Sequence, residues 1–206
     1  MKPYLTPAGS GEAEFTERRS RFIGRVWLTE TEDEALSHIK ETRERCWDAT
    51  HNVYAYSVRA TGAARYTDDG EPQGTAGIPV FDVFRKGCIT NFCCVVTRYF
   101  GGILLGAGGL VRAYSHAAKL ALDSAGILTM RLWAVALVAC PYSFLELLKL
   151  EIQRMGGIIE EIEYGADAVF HVALPFEARE KFSAAVLDLT SGKAEALFIE
   201  ERFMGL

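Results

Sequence analysis

Apolar residues recur along the chain in two rhythms, and the switches between them mark out the elements. Glu14 to Leu28 places Phe15, Phe22, Ile23, Val26 and Trp27 among charges and reads as extended structure. Thr31-Glu32-Asp33-Glu34 has the form of a capping box, with a threonine to accept from the first turn and a glutamate to reach back. It opens a helix that turns Ala35, Leu36, Ile39 and Cys46 inward. Asn52 to Arg59 alternates and predicts a strand, Gly62 to Gly77 reads as a long polar loop, and a short helix with Pro79 near its first turn follows. Phe92 to Thr97 is a continuous apolar run, as a central strand buried on both faces requires. A glycine loop, Gly101 to Gly109, leads into a helix from Leu110 to about Ala125 with Leu110, Ala113, Ala117 and Ala121 as its stripe.

After Gly126 the rhythm gives strand (Leu132–Ala139), helix (Phe144–Met155), strand (Ile158–Tyr164), strand (Val169–Leu174), helix (Glu177–Leu189) and strand (Ala196–Phe203). The order β-α-β-β-α-β is the ferredoxin-like pattern, an antiparallel sheet with both helices on one face. The fold class expected is therefore α+β. At 206 residues the chain suits two domains, placed at 1–127 and 128–206.

Composition narrows the setting. Half the residues are apolar and 24% charged, which excludes disorder. No run is long enough to span a bilayer and the N-terminus lacks a signal-peptide core, so a cytoplasmic protein with no membrane partner is expected. The five cysteines predict reduced core thiols, and without C-x-x-C or H-x-x-x-H spacing neither a metal site nor a cofactor is expected. The net charge of −5 is uneven: residues 1–130 hold 15 basic and 15 acidic side chains, and residues 131–206 hold 7 and 12. A polyanion would therefore meet the N-terminal part, where Arg18, Arg19, Arg21 and Arg25 cluster on what reads as an exposed basic strand.

Two constellations could carry chemistry. Asp68-Asp69-Gly70-Glu71-Pro72 crowds three carboxylates, which suits hard cations or proton transfer, yet the same residues are turn formers. Arg98-Tyr99-Phe100-Gly101-Gly102, continuing through Gly106, Gly108 and Gly109 to Arg112 and Tyr114, is a strand, glycine loop and helix start. Such an arrangement can bind an anion, with the arginines gripping phosphate and Tyr99, Phe100 and Tyr114 offering planar faces to a base. It can equally be a packing loop, with Arg98 paired to Asp68, Asp69 or Glu71. His51 could serve as a base but has no evident serine or cysteine partner, and Arg21 could assist as an accessory cation.

These motifs, together with Ser20-Arg21-Phe22-Ile23 and His51-Asn52 before Tyr54-Ala55-Tyr56, resemble the YigZ/IMPACT family across residues 12–125. Gln73 departs from the small residue expected at its position. The resemblance implies an N-terminal ribosomal-protein-like β-α domain, of the kind also seen in domain IV of elongation factor G and in GHMP-type kinases. The C-terminal part is similar, through its topology, to domain V of that factor. Eukaryotic members regulate translation under amino-acid stress through a further N-terminal domain, whose partner is not carried over. The function expected is a non-enzymatic RNA- or ribosome-associated protein in translation or its regulation. Two alternatives stand beside it: a small-molecule phosphotransferase or hydrolase holding phosphate in the glycine loop, and an adaptor docking a protein through its acidic C-terminal domain. No oligomeric state is implied.

Overall fold

The computed structural model describes residues 2–205, which divide by their contacts into Tyr4–Thr129 and a second unit running from Met130. The first unit is a five-stranded antiparallel sheet in the order β2-β3-β6-β4-β5: β2 (Gly11–Glu17), β3 (Ser20–Leu28), β6 (Phe92–Tyr99), β4 (His51–Val58) and β5 (Ala63–Thr67). A short β1 (Tyr4–Pro7) makes an isolated parallel bridge from Leu5 to Ile89, in the turn that precedes β6.

Strand alternation assigns the two faces of this sheet. Phe22, Val26, Val53, Ala55, Cys94 and Val96 pack under α2 (Gly77–Lys86) and α3 (Ala107–Ala125), against Val80, Phe84, Leu110, Tyr114 and Ala117. Tyr56, Val58, Cys93 and Val95 on the other face pack against Ala35 and Ile39 of α1 (Glu32–Arg45). The capping box of α1 forms as expected: Glu34 N–H donates to Thr31 Oγ1 at 3.2 Å, and Thr31 N–H to Glu34 Oε2 at 3.4 Å. β6 is central, and its buried two-faced run explains its uninterrupted apolar sequence.

The second unit is the expected β-α-β-β-α-β: β7 (Ile127–Cys140), α4 (Leu145–Arg154), β8 (Ile158–Tyr164), β9 (Ala168–Pro175), α5 (Arg179–Leu189) and β10 (Ala196–Gly205). The strands pair antiparallel in the order β8-β9-β7-β10. Leu148 and Ile152 of α4 and Phe182 and Val186 of α5 bury against Val138, Phe170, Val172 and Leu174 on one face.

Several expectations are corrected. The segment Gly62–Gly77 is not all loop: Ala63–Thr67 pairs with Val58–Tyr54 as an edge strand, and its exposed Ala64, Arg65 and Tyr66 hide the alternation. Glu14–Leu28 is a hairpin rather than one extended run, broken at Arg18 and Arg19. Helix α3 begins at Ala107, so Gly108 and Gly109 form its first turn and the glycine loop is shorter than expected. Of the five thiols Cys88 is exposed, turned outward by a left-handed φ of 54° after α2; the other four are buried. No helix among the described residues is long and apolar enough to cross a membrane.

Candidate functional site

The candidate residues gather at one end of the first sheet. His51, Arg98 and Phe22 are direct partners across β4, β6 and β3, so antiparallel pairing alone puts their side chains side by side on the α2/α3 face. The Asp68–Gly77 loop folds over this end. Asp68 holds the loop together by accepting from the backbone N–H of Gly74 (2.8 Å), Ala76 (3.0 Å) and Gly77 (2.8 Å). Asp69 accepts from the Asn52 N–H and from Arg43 of α1, both at 2.7 Å. Glu71 is buried beneath, taking Arg98 Nη1 at 2.5 Å and the Tyr114 hydroxyl at 2.7 Å. The three carboxylates are thus all engaged within the fold, Asp68 by backbone N–H groups, Asp69 by Arg43 and Asn52, and Glu71 by Arg98 and Tyr114.

Electrostatics follow from these contacts. Burial pushes the Asp68 carboxyl up, but the three N–H donors together outweigh it and hold the group below its ordinary value. A depressed carboxyl contributes stability above its unfolded value and loses it as pH falls through the folded one. Replacing Asp68 by Ala is therefore expected to cost about 1–3 kcal/mol near neutral pH. The same change should flatten the acid limb of stability; urea midpoints between pH 3 and pH 7 would show both effects. Burial, with Glu71 beside it, raises the Tyr114 phenol, so that hydroxyl stays protonated and donating.

This geometry alters the roles assigned to two residues. Arg98 lies 4% exposed between the rings of Phe22 and Phe100, each 5.4 Å from its guanidinium carbon, with Glu71 as counter-ion and Ser20 Oγ 3.3 Å from Nη2. Tyr114 is wholly buried, edge-on to Phe22. Neither presents a surface to a phosphate or a base. His51 is held by Nδ1 at 2.7 Å from the Asp69 carbonyl, with Nε2 3.7 Å from Glu71. Arg21 points to the opposite face of the sheet and pairs with Glu14. Tyr99 donates to Asp48, and burial foremost, with its polar neighbours Cys46 and Asp48, pushes its phenol up to about 12.

What remains at the surface is the tip of the β2–β3 hairpin, the Phe100–Gly106 loop and the start of α3. Arg18 and Arg19 are the two central residues of the turn closed by Glu17 and Ser20, at φ 46° and 65°. The tip docks on the glycine loop: Arg18 Nη1 donates to the Leu104 carbonyl at 3.2 Å, and Gly101 N–H to Ser20 Oγ at 3.2 Å. A Cβ on Gly101 would lie 2.0 Å from the Arg19 carbonyl carbon, so only glycine admits this approach. Beside it is a cavity of about 260 Å³ lined by Glu17, Arg18, Arg112, His116, Phe15 and Leu105. The α3 N-terminus opens nearby with no side-chain cap, and Arg112 has no ion-pair partner among the described residues. Phe100, Ile103 and Leu104 are exposed around the same tip. Arg18 and Arg19, legible only as part of a basic cluster, join Arg112 as the cations this surface offers.

Comparison with known proteins agrees with the motifs that build this site. Residues 18–122 match the model of the Impact N-terminal domain, and residues 138–193 a domain of unknown function, DUF1949. The chain belongs to the IMPACT family. IMPACT family relatives include YvyE of Bacillus subtilis, 35% identical over 95% of this chain and 90% of its own. They also include YigZ of Escherichia coli, 32% identical over 98% of this chain and 100% of its own. Protein IMPACT of the rat is 32% identical over 50% of this chain and 33% of its own length, so the likeness to that IMPACT protein covers one part only. A solved crystal structure of a hypothetical protein superposes with a TM-score of 0.62 at 31% identity, covering 97% of this chain and 98% of that one.

Proposed function

We propose that this IMPACT family member is a non-enzymatic RNA-binding protein acting in translation or its regulation, gripping single-stranded or looped RNA at the hairpin tip. The observation that carries this reading is the pair Arg18-Arg19 in a turn where both residues are left-handed. Such a two-residue turn favours Asn-Gly, since a side chain at positive φ costs about 1–2 kcal/mol per residue. Two arginines there are chosen against local stability, and strain of that kind accompanies function. Arg18, Arg19 and Arg112 outnumber the single Glu17 around the tip and would contact phosphates, and the half-exposed Phe100 would stack on a base. The phosphotransferase and hydrolase alternatives lose their support because the carboxylates they need are occupied by Arg43, Arg98 and backbone N–H groups.

The turn also supplies a clean test. Arg18→Asn with Arg19→Gly should keep or raise stability while removing two cations. Affinity for a short single-stranded RNA, followed across a salt series, is expected to fall. Its log–log salt slope should shrink by about 0.7 for each phosphate that is no longer neutralised, and Arg112→Ala should free one phosphate more. Unchanged affinity and slope in a folded Asn-Gly variant would end the proposal.

A further inference from the structure

Away from this surface, the second unit brings three metal-ligating side chains together on one sheet face. Glu161 of β8 and His171 of β9 are direct cross-strand partners, and Glu163 lies two residues along the same face. The ligand atoms of all three lie within 4.8 Å of one another, with His171 Nε2 2.9 Å from Glu163 Oε1. This convergence depends on a β-bulge. Ile159 pairs with Val172 but Glu161, not Glu160, pairs with His171, so one extra residue sits in β8. Regular alternation would aim Glu161 and Glu163 toward the helices and Ile162 at His171. The bulge reverses this, burying Ile162 with Phe170 under α4 and α5 and turning both glutamates to His171.

The local charge is uncompensated. Among the described residues Glu161 has no ion-pair partner and Glu163 has only His171. Arg202, the arginine beside the bulge, is already taken by Glu160 and Glu200. Two carboxylates held this close repel, and a divalent cation bridging them relieves the repulsion where a distant basic side chain does not. One imidazole nitrogen with two carboxylate oxygens suits borderline ions such as Zn²⁺ better than Mg²⁺ or Ca²⁺, which prefer oxygen alone. We propose that Glu161, Glu163 and His171 form a surface site for a divalent transition-metal ion, Zn²⁺ above all. Three protein ligands leave the remaining positions to water, which makes the site open and exchangeable.

The test is calorimetric titration of Zn²⁺ into the full chain after chelator treatment. It should be run in a Cys88→Ser background, because the exposed thiol is itself a zinc ligand. One equivalent is expected to bind, at least about tenfold more weakly in His171→Ala and in Glu161→Gln/Glu163→Gln, each checked for folding by circular dichroism. Co²⁺ bound in place of Zn²⁺ should give ligand-field absorption bands that vanish with His171→Ala. Absence of binding, Zn²⁺ binding indifferent to His171→Ala, or equal affinity for Mg²⁺ would each overturn the assignment.

Discussion

Glu71→Ala is expected to destabilise the first unit by about 3–5 kcal/mol, more than any other single truncation at this end of the sheet. The carboxylate neutralises Arg98, whose side chain is 5% exposed, and accepts from the buried Tyr114 hydroxyl as well. Removing it strands a guanidinium in an apolar setting between Phe22 and Phe100 and leaves the phenol without an acceptor. Arg98 would keep only its 3.3 Å hydrogen bond to Ser20 Oγ, since its buried Nε already lacks a hydrogen-bond partner among the described residues. Glu71→Gln should fall between, because an amide oxygen still accepts from Tyr114 but carries no charge. The double change Glu71→Leu/Arg98→Met should recover most of the loss, as replacing a whole buried pair is far milder than breaking it. Urea unfolding of the four proteins reads this directly. A cost under about 1 kcal/mol for Glu71→Ala would mean that water reaches the pair.

Gly101→Ala carries the second large effect, about 3 kcal/mol of stability, at the upper end of what overpacking costs. The added methyl would meet Arg19 carbonyl carbon and oxygen at 2.0 and 2.1 Å and the Ser20 nitrogen at 2.5 Å, all backbone atoms that no rotamer change can move. Gly101 is not left-handed, so its requirement is space alone. Its neighbour Gly102 is the converse, at φ +80° with nothing within 4 Å, and Gly102→Ala should cost only about 1 kcal/mol. Thermal or urea denaturation of the two variants separates a steric need from a conformational one. Equal costs would mean that the hairpin tip does not close on the glycine loop.

Elements whose patterns were set by their own packing could be read in advance. The Thr31–Glu34 box, the two-faced β6 and the β-α-β-β-α-β order all state local requirements in local sequence. The edge strand Ala63–Thr67 could not, because its side chains face solvent and alternation has nothing to report there. The start of α3 was hidden because Gly108 and Gly109 read as loop while they form the first helical turn, Gly108 exposed and Gly109 packed closely on Leu105. The acidic and glycine-rich motifs meet at one end of the first sheet, but the sequence did not give the direction of each side chain. Only the His51–Arg98–Phe22 register shows Arg98 turning inward to Glu71, leaving Arg18, Arg19 and Arg112 as the exposed cations. The Glu161–Glu163–His171 set depended on one bulged residue, which inverts the parity a periodic reading assumes.

The distribution of thiols turns the chain into its own reporter of local opening. Cys88 alone is exposed and would react at once with an alkylating reagent, so a Cys88→Ser protein starts from a silent baseline. In it, Cys46, Cys93 and Cys94 sit in the first unit and Cys140 in the second, all buried, with burial pushing the Cys93 thiol up to about 12. Each can be trapped only when its surroundings open, so trapping rates sorted by peptide mass would give opening free energies for the two units in a single experiment.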